Sequence, residues 1–311
     1  MGAGLVTCVL VLGGGPDAER EVSLTSSQAV AGALAQGGRF KVEYRTIDRV
    51  TDAELEAMPG DVVFPVLHGP FGEGGPVQDM LARGDRPYIG AGPSAARRAM
   101  DKMGCKLAAA AAGVPTAVGA VLDISDSVCP FDPPVVVKPN TEGSSVGLYV
   151  CKTLDQWDRA HAAARDGAEQ HPGRAWMVER FVPGRELTVG LVGPEGAMKA
   201  LPIVEIRPAG GTYDYDAKYA RSDTVYVTDP DLPAGVGERV RAMGEAVAAA
   251  MGVRHLARAD FILTPAGEPM FLEINTMPGF TSTSLVPKAA AATGMDLPDL
   301  CAHLVELALG A

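Results

Sequence analysis

Ala257-Arg258-Ala259-Asp260-Phe261-Ile262 and Phe271-Leu272-Glu273-Ile274-Asn275-Thr276-Met277-Pro278-Gly279 are separated by Thr264-Pro265-Ala266-Gly267-Glu268. Each run has the composition of a short strand, and the residues between them carry turn chemistry, so the whole reads as a hairpin. Side chains alternate across a strand. Arg258 and Asp260 therefore share one face of the first strand, Glu273 and Asn275 share one face of the second, and Leu272 and Ile274 are expected to point into a core. Three oxygen-bearing side chains and an arginine then converge on one surface. Hard oxygen donors suit Mg2+ bridging nucleotide phosphates, with the arginine meeting developing negative charge. A solvated outer face fits the same residues equally well on this fragment alone.

Around this hairpin lies a chain of 311 residues, long enough for two or three domains, with 47% hydrophobic and 21% charged residues. That is the composition of an ordinary globular protein. A net charge of −11 argues against nucleic acid or an anionic membrane as partner. A small anionic ligand stays compatible with it wherever lysines cluster. Cys8, Cys105, Cys129, Cys151 and Cys301 are scattered and lack C-x-x-C spacing, which implies reduced thiols in a cytoplasm. The apolar run Leu5 to Leu12 is too short to span a bilayer and has no basic residue before it, so it reads as a first strand.

That strand, 6–12, runs into Gly13-Gly14-Gly15, and a helix follows with Ser23 as its expected cap and Gly37-Gly38 as its end. Strands are expected at 41–47 and 61–67 and helices at 52–58 and 76–83, the alternation of a parallel sheet covered on both sides. The alanine-rich stretch 94–112 reads as one helix stopped by Gly113. Strands at 115–122, 134–138, 146–151 and 175–181 with a helix at 154–165 then describe a mixed, mostly antiparallel sheet. Further strands at 186–192 and 198–206 lead to a polar loop, 208–224. Beyond it, Val236, Val240, Met243, Val247 and Met251 form the core stripe of a helix. After the hairpin, helices are expected at 285–293 and 297–309.

Several loops carry chemistry. Gly13-x-Gly15-x-x-Ala18 is a relaxed dinucleotide fingerprint, but Asp48 comes too late to serve as its ribose acid. Glu19, in the charged segment that follows, lies where a ligand crevice opens at the carboxyl end of the strand and could hold an ammonium group. His68 sits in a second glycine-rich loop, Leu67 to Gly75, placed beside the first. In Val137-Lys138-Pro139-Asn140-Thr141-Glu142-Gly143-Ser144-Ser145-Val146-Gly147, a lysine ends an apolar strand before a loop rich in N–H and hydroxyl donors. Such a loop can cover polyphosphate, and it is not a Walker A sequence. Glu179 and Glu186 flank a turn and suit an adenine amino group and ribose hydroxyls; a salt-bridged surface suits them as well.

Taken in order, GGGPDAEREVSL (13–24), LHGPFGEGG (67–75), MDK (100–102), VKPNTEGSSVG (137–147), YDYDAKY (213–219), RAD (258–260) and LEINTMPGFTSTSLVP (272–287) resemble the D-alanine–D-alanine ligases of the ATP-grasp superfamily. The likeness spans essentially the whole chain. It implies an α/β and α+β architecture: a parallel α/β domain (1–96) that binds the first D-alanine, a central lobe (97–183), and a C-terminal lobe (184–311) with the metal site and a mobile loop. ATP lies between the two lobes. It also implies phosphorylation of one D-alanine carboxylate, attack by the amine of a second on the acyl phosphate, and collapse of the tetrahedral intermediate to dipeptide.

By the same resemblance, Lys102, Lys138 and Lys218 face ATP phosphates, Ser144 and Ser145 cover them, and Glu179, Phe181, Val182 and Glu186 hold adenine and ribose. Asp260, Glu273 and Asn275 hold two Mg2+ ions, for which Mn2+ can substitute. Glu19 grips the first substrate's ammonium with His68 beside it, and Tyr219 links through Ser144 to Glu19. Arg258 and the Gly279 amide meet the acyl phosphate and the oxyanion. Ser284 and Leu285 open a helix whose amides receive the second carboxylate. The segment 213–224 is the closing loop, and Tyr219 favours an amine acceptor. The family's usual Gly-Glu-Asp-Gly reads Gly72-Glu73-Gly74-Gly75 here, one acid fewer. The resemblance further implies a cytoplasmic homodimer acting on small molecules in peptidoglycan-precursor synthesis. Rival readings are ligation of D-alanine to D-serine or D-lactate, an NAD-linked oxidoreductase using the first glycine turn, and a non-catalytic ATP-sensing module.

Overall fold

The computed structural model describes residues 6–143, 147–208, 224–281 and 283–310. Ser144, Ser145, Lys218, Tyr219 and nearly all of the expected closing loop lie outside the described residues. Twelve described strands fall in chain order as β1 (Cys8–Gly14), β2 (Lys41–Ile47), β3 (Val62–Pro65), β4 (Gly119–Leu122), β5 (Val135–Pro139), β6 (Tyr149–Cys151), β7 (Trp176–Arg180), β8 (Arg185–Gly193), β9 (Lys199–Arg207), β10 (Val225–Thr228), β11 (His255–Leu263) and β12 (Pro269–Asn275). The described helices are α1 (Arg20–Gly37), α2 (Asp52–Ala57), α3 (Gly69–Gly72), α4 (Pro76–Arg83), α5 (Pro93–Met100), α6 (Lys102–Ala111), α7 (Leu154–Gln170), α8 (Val236–Met251), α9 (Leu285–Ala291) and α10 (Leu297–Leu309).

A parallel sheet in the order β2-β1-β3 opens the chain. Both of its faces are covered, as its continuous apolar strands require. Leu10, Leu12 and Val63 meet Leu55 of α2 and Val77 and Leu81 of α4. On the other face, Val9, Val11 and Phe64 meet Val30 and Leu34 of α1, together with Leu300, Leu304 and Val305 of α10. The last helix of the chain thus completes the first core. Ser23 is not the cap of α1: the helix starts at Arg20, and Ser23 lies buried inside it, accepting from Gly14 N at 2.9 Å and donating to Val66 O at 2.5 Å. A serine hydroxyl that can reach the backbone of two neighbouring strand ends contributes more there than at a solvated helix start.

The expected single helix at 94–112 is two, α5 and α6, broken at Asp101. Asp101 caps α6 by accepting from Gly104 N at 3.0 Å, and it also accepts from Asn140 Nδ2 at 2.8 Å. A short carboxylate gains more as a cap than inside a helix. The break sends Lys102 off in a new direction.

The four-stranded sheet β4-β7-β5-β6 is antiparallel and carries α7 on one face through Trp157, Ala160 and Ala164. The five-stranded sheet β10-β9-β8-β11-β12 is also antiparallel. Its β10, an edge strand absent from the sequence reading, pairs with β9 just beyond the polar loop. One face of this sheet packs on Val236, Val240, Val247 and Met251 of α8 and on Cys105 and Ala109 of α6.

Within the hairpin the pairing shifts at Asp260/Phe261: Asp260 faces Glu273, whereas Phe261 faces Phe271. Leu272 is the extra residue of a bulge. It lines a cleft instead of entering the core as expected, while Ile274 is buried. Because Leu304 is fully buried against the first sheet, Leu304→Ala should destabilise the fold by about 2–5 kcal/mol in urea denaturation. Hydrogen exchange should accelerate in β1, almost the whole chain away in sequence.

Candidate active site

A cleft of about 620 Å³ opens between the faces of the two antiparallel sheets and is closed at one end by the start of α1 and the loop around His68. Every described residue named from the sequence as a site candidate lines it: Glu19, His68, Lys102, Lys138, Glu179, Phe181, Val182, Glu186, Arg258, Asp260, Glu273, Asn275, Gly279, Ser284 and Leu285. Strand periodicity explains the convergence. On β5, Val135 and Val137 enter the core beneath α7, leaving Val136 and Lys138 on the cleft face. On β8 and β11, Glu186 pairs with Ile262 and Thr188 with Asp260, so these residues share the opposing wall.

At one end of that wall Asp260, Glu273 and Asn275 form an oxygen-rich shelf. Thr188 Oγ1 donates to Asp260 Oδ1 at 2.5 Å, and Arg258 forks onto the same carboxylate, Nε to Oδ1 at 3.0 Å and Nη2 to Oδ2 at 2.8 Å. Asn275 Oδ1 accepts from Met277 N at 3.0 Å, which fixes its amide. Among the described residues no three His, Cys, Asp or Glu side chains gather as a closed metal cage. Two carboxylates and an amide carbonyl on adjacent strands are instead the open, hard-oxygen set that suits Mg2+ completed by phosphate oxygens and water.

Opposite the shelf stand the lysines. Lys102, in the first turn of α6, donates to the Glu142 carbonyl and lies 3.8 Å from Glu273 Oε2. Lys138 Nζ is 2.6 Å from Glu179 Oε1, and Lys106 Nζ is 2.6 Å from Glu179 Oε2. Burial alone would raise the Glu179 carboxyl, but Lys138 and Lys106 outweigh it and hold the group below its usual range. Between lysines and shelf, Val136, Val150, Leu272 and Ile262 make an apolar slot. The bulge is what puts Leu272 into that slot.

Glu19 and His68 line the far end of the cleft. His68 is buried, and burial followed by the nearby Arg258 charge drives its ring down to about 4, so it is neutral at pH 7. Its Nε2 meets no hydrogen-bond partner among the described residues. Glu73 accepts from Gly69 N and from Met277 N, each at 3.3 Å, tying the His68 loop to the end of β12. Burial and then the Glu19 charge raise Glu73 to about 8. Two glycines lie close against side chains of the cleft: a Cβ on Gly143 would fall 2.5 Å from Glu19 Oε2, and one on Gly279 would fall 2.9 Å from Ser284 Oγ, so a side chain at either would displace a cleft residue. Ser26 of α1 accepts from Phe280 N at 3.2 Å and sets the height of that second loop.

The family profile described as D-ala D-ala ligase C-terminus matches residues 124–306, more than half of the chain. The D-alanine–D-alanine ligase of Anaeromyxobacter sp. (strain Fw109-5) is 40% identical over 306 residues, covering 96% of each chain. The chain belongs to the D-alanine–D-alanine ligase family. Another member, from Acidiphilium cryptum, is 42% identical over 96% of this chain and 97% of its own. The D-alanine–D-alanine ligase from Bacillus anthracis, solved in complex with ATP, superposes with a TM-score of 0.83 at 27% identity, over 98% of this chain and 97% of that one. The D-Ala:D-Ser ligase from Enterococcus faecalis shares the fold with a TM-score of 0.81 at 23% identity. The architecture is the ATP-grasp fold of these ligases.

For this family member the structure adds residues that sequence reading passed over. Lys106 carries a visible signal, since it lies one helical turn beyond Lys102. Ser26 sits in a serine-rich helix face that the cap assignment of Ser23 obscured. Glu73 was given no role, yet its carboxyl is the buried tie between two loops. The glycine that follows it is accounted for as well: a Cβ on Gly74 would lie 2.4 Å from Pro70 O, so this turn excludes any side chain.

His68 and Glu73 give the fold opposite pH dependences. The His68 ring, near 6.5 when unfolded and about 4 when folded, contributes stability that is present above pH 6.5 and lost as pH falls toward 4. The Glu73 carboxyl, near 4.5 unfolded and about 8 folded, contributes stability that is complete below pH 4.5 and lost as pH rises through 8. Glu73→Gln should therefore gain on the parent by a few kcal/mol between pH 5 and pH 9 in thermal denaturation. A difference between the two proteins that does not change with pH would show Glu73 to be ionised throughout.

Proposed function

We propose that this chain joins two D-alanines to D-alanyl-D-alanine at the expense of ATP, releasing ADP and phosphate through an acyl phosphate. The observation that carries this reading is a single cleft lined by cations, by a hard-oxygen shelf and by Glu19 with His68. In this reading the apolar slot holds adenine, Glu179 and Glu186 meet its amino group and the ribose, and Phe181 and Val182 frame the base. Lys102 and Lys138 neutralise the phosphates, with Ser144, Ser145 and Lys218 contributing from outside the described residues. Mg2+ on Asp260, Glu273 and Asn275 would supply charge neutralisation at the transferring phosphoryl group.

The chain's own groups set the substrates. Glu19 holds the ammonium of the first D-alanine, and neutral His68 lies beside that substrate. Arg258, oriented by Asp260, and the Gly279 amide face the acyl phosphate and the oxyanion that follows. The second carboxylate rests at Ser284 and Leu285. Tyr219, outside the described residues, is assigned to favouring an amine as the second substrate. The three sheets support a division into 1–96, 97–183 and 184–311, with the closing helix returned to the first core. A cytoplasmic homodimer is the assembly this reading assumes. Among the described residues no helix is long and apolar enough to cross a membrane.

Mixing the protein with ATP, Mg2+ and D-alanine should yield the dipeptide and ADP in equal amounts, and D-serine or D-lactate should be poorer second substrates. ADP formation without dipeptide, or preference for D-lactate, would overturn the assignment. Glu273→Gln should lower metal-dependent kcat by about 100-fold or more while shifting stability by only about 0.5 kcal/mol. Comparable losses in turnover and folding would remove Glu273 from the metal site.

A further inference from the structure

Lys106 stands behind the cleft. It does not line it, its side chain is only 4% exposed, and its ammonium is committed to Glu179 Oε2 at 2.6 Å. Lys138, on the cleft side, takes Oε1 at the same distance. The helix that carries Lys102 to the phosphate end thus carries Lys106, one turn later, to the other end of the nucleotide slot. Gly119 pairs with Glu179 across β4 and β7, and a methyl there would lie 3.2 Å from Glu179 Cβ and 3.6 Å from Lys106 Cε. The missing side chain leaves a passage for the lysine.

Burying an ammonium costs several kcal/mol, and burial does pull Lys106 below its ordinary range against the attraction of Glu179. A strut between α6 and β7 could be built from apolar side chains without that cost. Charge counting shows what the lysine adds. With both lysines present, Lys106 and Glu179 cancel, and Lys138 keeps a net positive charge on the cleft side. With Lys106 gone, Lys138 alone would neutralise Glu179, and the slot would lose its net positive charge and one of the two bonds that fix its acceptor.

We propose that Lys106 is a positioning residue of the nucleotide slot: it holds Glu179 from behind so that the carboxylate presents its remaining lone pairs to the exocyclic amine of adenine while Lys138 keeps its charge for the phosphates. This rests on Glu179 as the acceptor of the base. The test compares ATP with purine ribonucleoside triphosphate, which lacks the 6-amino group, as co-substrates of the full chain and of Lys106→Met, Lys106→Gln, Lys106→Arg and Glu179→Gln. Lys106→Met should raise KM for ATP about tenfold, the worth of one charge-assisted hydrogen bond, with kcat within about twofold, and should erase the preference for ATP over the analogue. Lys106→Arg should restore that preference. Lys106→Gln, which keeps a polar group but no charge, gives the same readout if the methionine variant folds poorly. Unchanged KM and preference in the folded neutral variants would reduce Lys106 to a strut. An unchanged preference in Glu179→Gln would instead locate the failure in the reading of Glu179.

Discussion

The pairing of β11 with β12 is the constraint on which the site depends. Asp260 stands across from Glu273 and Arg258 across from Asn275, and one residue later the register slips. Without the slip, Leu272 would follow the ordinary alternation into the core beneath α8. With it, both Leu272 and Glu273 belong to the cleft. The same backbone irregularity therefore supplies an apolar wall and an acidic shelf within two consecutive residues, which a regular strand cannot do. Thr188 from β8 and Lys102 from α6 then converge on the shelf.

A chain of net charge −11 gathers several of its cations at one cleft. Lys102, Lys138 and Arg258 line one cleft, with Lys106 immediately behind it, while Asp260 and Glu179 each hold two partners in place. Such pairs contribute little to net stability because desolvation consumes most of the Coulombic gain. Their return is orientation: each side chain is fixed before a ligand arrives, so little ordering is left to do on binding.

Much of this was legible in the sequence because strand alternation and glycine-rich loops are local signals. β2, α4 and α10 have the expected bounds, and the described candidate residues line one cleft. What escaped was non-local. Asp101 reads as one more residue in an alanine-rich helix until Asn140, from a distant strand end, gives its carboxylate a second partner. Ser23 looks like a cap because its acceptor, Val66 O, lies just past the end of β3, far along the chain. The bulge at Leu272 is invisible because no glycine marks it. Lys106 shows its helical spacing from Lys102 but not its partner, Glu179, and Glu73 acquires meaning only from Met277, far along the chain.

The closing helix has a temporal consequence. Val9 and Val11 leave the ribosome long before Leu300, Leu304 and Val305, which cover them. Part of one face of the opening sheet stays uncovered until α10 has been made, at roughly 5–20 residues per second. During that interval α1 is the nearest shield in sequence, and the nascent chain presents a sticky strand surface to chaperones and to neighbouring copies on the same message.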